Sequence, residues 1–110
     1  MKNLIEFDFH QTLDRTDGPA LVLFSSATCG TCRSVEKRLP KAAEGTVAGL
    51  FIVDVQQSTG LAREYDVFHL PALFLFVDGH FHAQLKCEIS PDKLPRAIET
   101  ALALPAEEEP

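Results

Sequence analysis

The stretch Ala20-Leu21-Val22-Leu23-Phe24-Ser25-Ser26-Ala27-Thr28-Cys29-Gly30-Thr31-Cys32 carries the most information in the chain. Ala20 to Phe24 is a short uninterrupted apolar run, the pattern of a strand covered on both faces. Cys29-x-x-Cys32 follows at the junction between that strand and the start of a helix, which puts Cys29 near the N-cap with its sulfur towards unpaired backbone N–H groups. Such a position lowers a thiol pKa and raises the thiolate fraction at neutral pH. The second sulfur, one helical turn on, is placed to attack a mixed disulfide formed by the first. Two cysteines at this spacing suit redox chemistry. The bland readings are a pair of buried small hydrophobes or half of a zinc site, but no second CxxC or Cys-x-x-His follows.

Downstream, Val35, Leu39 and Ala42 step by four and three, so a helix is expected from about Gly30 towards Ala43, with Gly45 as a stop and Pro40 as a bend. Leu50 to Val55 is a second apolar, β-branched run, and Ser58 or Thr59 can cap a short helix carrying Leu61, Ala62 and Tyr65. A third run, Ala72 to Val77, ends at Asp78-Gly79 and is followed by Phe81, Ala83, Leu85 and Cys87 alternating with polar residues, an antiparallel hairpin. Ser90-Pro91-Asp92 then opens a closing helix with Leu94, Ile98, Ala101 and Leu102 on one face. Upstream, Ile5, Phe7 and Phe9 alternate with Glu6, Asp8 and His10, the period of a half-buried strand that passes into a short helix before Asp17-Gly18-Pro19. The resulting order, β-α-β-α-β-α-β-β-α, predicts an α/β fold: a central mixed β-sheet, parallel strands first, an antiparallel hairpin last, and helices on both faces.

A length of 110 residues leaves room for a single core. We expect one domain over residues 1–104 and an acidic flexible C-terminal tail over 105–110. The chain is 45% hydrophobic and 24% charged, which argues against a disordered or coiled-coil chain. Ten Lys+Arg against 16 Asp+Glu give −6, half of it from Glu107, Glu108 and Glu109, so no nucleic-acid partner is indicated. No apolar stretch approaches bilayer length, and no membrane partner is expected. Three cysteines are too few and odd in number for a secreted disulfide framework, so we expect a cytoplasmic monomer in a reducing compartment.

With Ser26-Ala27-Thr28-Cys29-Gly30-Thr31-Cys32 after a hydrophobic strand and Phe68-His69-Leu70-Pro71-Ala72-Leu73-Phe74-Leu75-Phe76-Val77-Asp78-Gly79 further on, nearly the whole chain resembles a thioredoxin. The resemblance implies the thioredoxin-like fold and a thiol–disulfide oxidoreductase that reduces protein disulfides, with Cys29 as nucleophile and Cys32 as resolving thiol. It also implies that Pro71 is cis and touches Cys29, and that Thr28, Gly30, Thr31, Leu70 and Pro71 receive an extended substrate peptide. No cofactor beyond the redox-active Cys29–Cys32 pair is implied, and the partners implied are protein disulfides and a dithiol-regenerating reductase; the reducing compartment expected above places the potential at the reducing end, since the glutathione pool would short-circuit a cytosolic oxidant. Five positions depart from the pattern, the first being Thr31 in place of the proline of the usual Gly-Pro between the cysteines. The two tryptophans expected before the first cysteine are replaced by Ser25 and Thr28, and the buried aspartate–lysine pair that serves the resolving thiol is replaced by Leu23 and Ile52. Deprotonation of Cys32 must then rely on water or another base.

His69, two residues before Pro71, and Cys87, at the end of the hairpin's second strand, are possible modulators of the reactive pair, although an idle loop histidine and a small buried hydrophobe are the bland alternatives. A different class of function would use Cys29, Cys32 and either His69 or Cys87 to hold zinc or an iron–sulfur cluster on a non-catalytic interaction module; we expect no metal. His80 and His82 read as a solvated hairpin tip, and His10 carries no signal. Phe24, Phe51, Phe74 and Phe76 read as core, and Phe68 as a docking residue.

Overall fold

The computed structural model describes residues 1–110. Strand β2 (Pro19–Ser25) lies at the centre of a five-stranded sheet of order β1-β3-β2-β4-β5, completed by β1 (Lys2–Asn3), β3 (Gly49–Asp54), β4 (Ala72–Val77) and β5 (His80–Leu85). β3 runs parallel to both β1 and β2, whereas β4 is antiparallel to β2 and β5 to β4. Four helices cover the sheet: α1 (Phe9–Asp14), α2 (Gly30–Ala42), α3 (Thr59–Glu64) and α4 (Lys93–Ala103).

Strand periodicity divides the apolar runs between two cores. Ala20, Val22 and Phe24 join Phe74 and Phe76 on the α1/α3 side, where Phe9, Leu13, Leu61 and Tyr65 pack. Leu21 and Leu23 join Leu73 and Leu75 on the α2/α4 side, against Val35, Leu39, Leu94 and Ile98. Thus the runs that show no alternation in sequence do so because both faces of their strands are buried. At the hairpin, Asp78 and Gly79 have φ of 51° and 85°, the paired positive values of a tight two-residue connection.

Four local expectations are corrected. Residues 5–9 are not a strand: the N–H of Ile5 donates to Asp8 Oδ1 at 2.9 Å and that of Phe9 to the Ile5 carbonyl at 3.0 Å, so the chain turns. The operative apolar spacing is Phe9 and Leu13, both buried on α1, while Phe7 is 88% exposed. Leu102 is exposed on α4, because Leu94 and Ile98 alone centre the buried stripe. Cys87 lies beyond β5, which ends at Leu85. His82 is not idle at a solvated tip, since its Nε2 meets the Ala101 carbonyl at 2.7 Å and ties the hairpin to α4.

The closing helix starts at Lys93 with Asp92 at its N-cap, later than the expected Ser90, whose Oγ still accepts from the N–H of Lys93 at 3.0 Å and whose carbonyl accepts from that of Leu94 at 3.0 Å. Ser58 occupies the N-cap of α3, but its buried Oγ has no partner. Helix α2 continues through Pro40 to Ala42, and Gly45 follows with φ of 75°. The Glu107 N–H donates to the His82 carbonyl at 2.7 Å, and its Oε1 accepts from the N–H of Gln84 at 3.1 Å. No helix is long and apolar enough to cross a membrane.

Candidate functional site

The loop that leaves β2 is built by its own hydroxyls. Ser26 Oγ accepts from the N–H of Thr28 at 3.3 Å and lies 3.1 Å from Thr28 Oγ1, while the Ser26 carbonyl accepts from the N–H of Cys29 at 3.1 Å. Arg33 reaches back from α2, and its guanidinium donates to the Ala27 carbonyl at 2.9 Å. These bonds set Cys29 in extended backbone at the N-cap of α2, where its Sγ accepts from the N–H of Cys32 at 3.1 Å. A sulfur that accepts from a helix's first turn is stabilised as thiolate by the N–H and by the positive end of the helix dipole.

Cys29 and Cys32 are joined as a disulfide with their Cα atoms 5.2 Å apart. The two sulfur-bearing residues are not equivalent: Cys29 is partly exposed, whereas Cys32 is 0% exposed. Thr28, Gly30 and Thr31 are exposed around Cys29, so a partner can approach it from outside. Leu23 and Ile52 sit side by side in register on β2 and β3 and pack with the α2/α4 core, on the sheet face that α2 covers.

The Leu70–Pro71 peptide bond is cis. Phe24 pairs with Ala72, which brings the start of β4 to the same end of the sheet as the loop that carries Cys29. Pro71 lines two cavities. One, of about 310 Å³, is shared with Phe68, His69, Gln84 and Lys86, and Phe68 is 83% exposed at its rim. The other, of about 180 Å³, is shared with Leu23, Val35, Cys87 and Ile89. His69 and Cys87 therefore line different cavities that share Pro71, Gln84 and Lys86, and neither cavity includes Cys29 or Cys32. Burial pushes the Cys87 thiol above its ordinary range, away from thiolate. No group of three or more His, Cys, Asp or Glu is arranged to hold a metal.

A third cavity of about 290 Å³ was not foreseen from the sequence. Asn3, Ser25, Ser26, Glu36, Asp54 and Gln57 supply its polar lining, and Ser25 Oγ donates to Glu36 Oε2 at 3.1 Å. The signal available was Glu36 itself, the one acid in the cation-rich sequence of α2.

A family model described as Thioredoxin matches residues 1–100. Over 96 residues the chain is 27% identical to "Thioredoxin Y2, chloroplastic" of Arabidopsis thaliana, covering 86% of this chain and 58% of that relative. It is 28% identical over 83 residues to "Thioredoxin" of Pseudomonas aeruginosa, covering 74% of this chain and 77% of that one. The chain thus spans little more than half the length of the plant relative. Among solved structures, the zinc-bound form of human ERp44 superposes with a TM-score of 0.75 at 19% identity, over 93% of this chain and 30% of that one. A structure from work on thiol resolution in yeast mitochondrial 1-Cys peroxiredoxin gives 0.72 at 21% identity, over 94% and 93%. These two likenesses establish the fold.

Proposed function

Because the chain belongs to the thioredoxin family, we propose that it is a thiol–disulfide oxidoreductase that reduces protein disulfides, with Cys29 as nucleophile and Cys32 as resolving thiol. The observation that carries this reading is the asymmetry of the pair, with one sulfur reachable at a helix N-cap and the other enclosed one turn behind it. In the first step the Cys29 thiolate attacks a substrate disulfide and releases half of it as thiolate. In the second, Cys32 loses its proton and attacks Cys29 Sγ, forming the Cys29–Cys32 disulfide and releasing the other half. Two electrons pass from the dithiol to the substrate, and the two thiol protons end on its released sulfurs.

Thr28, Gly30 and Thr31 on one side and Leu70 and Pro71 on the other receive the substrate chain, the backbone of Leu70 offering strand-like hydrogen bonds. A separate reductase regenerates the dithiol. A potential at the reducing end, near the roughly −270 mV typical of reductants of this kind, suits a cytoplasmic monomer. The support for that compartment is compositional: a third cysteine, Cys87, remains unpaired.

The test is reduction of insulin by dithiothreitol with and without the protein, together with trapping by Cys32→Ser. Acceleration by wild type, its loss in Cys29→Ser, and accumulation of a Cys29–substrate mixed disulfide in Cys32→Ser are expected. No acceleration by metal-free wild type would sink the reading.

A further inference from the structure

We propose that Glu36 is the positioned carboxylate that accepts the Cys32 proton in the second step; the proposal rests on the exchange chemistry above. Cys32 is a nucleophile only as thiolate, yet it is fully enclosed, so its proton needs a path other than direct contact with bulk solvent. The sheet beneath it offers none, because Leu23 and Ile52 put two hydrocarbon side chains where the strands pass under α2.

Glu36 is four residues after Cys32, and residues at that spacing on a helix are neighbours with Cβ atoms about 5–6 Å apart. Helical side chains lean towards the N-terminus, so that of Glu36 lies over the turn that carries Cys32 and Arg33. Its carboxylate is fixed there from the sheet side, since the hydroxyl of Ser25, a residue 4% exposed, donates to Oε2 at 3.1 Å.

The cavity that Glu36 lines, about 290 Å³ and largely polar, has room for water that can carry a proton away from the carboxylate; Cys32 does not line it, so the transfer from sulfur to Glu36 runs along the helix face. The groups that face Glu36 there are Ser25 and Ser26 from the end of β2 and the loop after it, Asp54 and Gln57 from the end of β3 and beyond, and Asn3 from β1. Asp54 is the other titratable group among them, and Arg33 is the charge one turn back on α2 itself. In the resolving step Cys32 gives its proton to Glu36, its thiolate forms the bond to Cys29 Sγ, the bond from Cys29 to the substrate breaks, and the proton passes from Glu36 through water to the released thiolate.

Reaction of the reduced protein with a symmetric chromogenic aromatic disulfide reads both steps on one stopped-flow trace, because one aryl thiolate leaves when Cys29 attacks and a second when Cys32 resolves. In Glu36→Gln the second phase is expected to slow about 100-fold, in the range of positioned general bases. Its logarithm should then rise by about one for each pH unit between pH 6 and 8, as a thiol in equilibrium with solvent requires, where the wild type is flatter. The first phase keeps its rate. Glu36→Asp restores the flatter profile at a reduced rate, and Asp54→Asn resolves like wild type.

A second phase in Glu36→Gln with wild-type rate and slope overturns the proposal. So does a defect that follows Asp54→Asn instead, or one that slows both phases alike without changing the slope, which is the signature of a purely structural role. Wild type that releases no second thiolate removes the oxidoreductase reading beneath it, an outcome distinct from the others.

Discussion

Cys29 and Cys87 differ by environment alone. The first has its Sγ against the N–H of Cys32 at a helix N-cap, and the second sits in an apolar cavity with Leu23, Val35 and Ile89, where burial raises its pKa. Haloacetamides react with thiolates, so at pH 7.5 the reduced protein should be alkylated at Cys29 at least about tenfold faster than at Cys87. Peptide mapping by mass spectrometry after short exposures checks this, and comparable labelling of the two would refute it. Cys87→Ser should keep disulfide reductase activity within about twofold, because it adds one hydroxyl to a half-buried position and removes nothing the exchange uses.

At the level of elements, the β4–β5 connection is held from outside as well as by its own backbone. Asp78 Oδ1 accepts from the N–H of Gly18 at 2.7 Å, and the Asp78 N–H donates to the Gly18 carbonyl at 3.1 Å, so the hairpin tip is pinned to the loop that enters β2. Gly79 has φ of 85°, and a Cβ there would meet the Cα of Asp14 at 2.8 Å and the carbonyl of Leu13 at 3.1 Å, both backbone atoms of the α1 region. Gly79→Ala therefore combines backbone strain with a clash that no rotamer change relieves. It should destabilise by about 1–3 kcal/mol, read as a lower denaturant midpoint with an unchanged m-value. An unchanged midpoint would mean that the tip can leave α1 freely.

Over the whole molecule, charge is segregated. α2 carries Arg33, Lys37, Arg38 and Lys41 exposed and the single acid Glu36, so that helix nets +3 while the rest of the chain nets −9. The cations run back from Cys29 along a helix about 20 Å long, within the footprint of a partner docked at the disulfide. Raising ionic strength from 0.02 to 0.5 M should lower kcat/KM several-fold for an acidic protein disulfide and leave a neutral small disulfide nearly unaffected. Equal salt effects on both would exclude steering. The two cores set a second global property. Tyr65, 2% exposed among Phe9, Phe24, Phe74 and Phe76, has its phenol pushed above its ordinary 10.0, first by burial and then by the charge of Glu64. Cys87 is likewise raised from 9.0. In both, the folded state holds its proton more tightly than the unfolded one, so the stability they contribute is complete below about pH 9 and declines as pH rises beyond it. Thermal unfolding of the reduced protein from pH 8 to 11 should show a falling Tm, with Tyr65→Phe flattening the decline above pH 10.

The sequence by itself determined β2 to β5, the hairpin and the reactive pair, because each depends on neighbours along the chain: an apolar run, Asp78-Gly79 at a turn with two positive φ values, a Cys-x-x-Cys where strand gives way to helix; β1, at Lys2–Asn3, was not among the strands it marked. Even there, a local rule misled at Ile5 to Phe9, where alternation was present but Asp8 captured the Ile5 N–H and turned the chain. Tertiary structure alone decided which cysteine is enclosed, which flank of α2 meets β2 so that Ser25 holds Glu36, and that His82 reaches the end of α4. Those outcomes depend on how helices are rotated and seated against the sheet. That rotation is set by the summed packing of Val35, Leu39, Leu94 and Ile98 against Leu21, Leu23, Leu73 and Leu75, a sum over residues far apart in the chain that no single stretch of it contains.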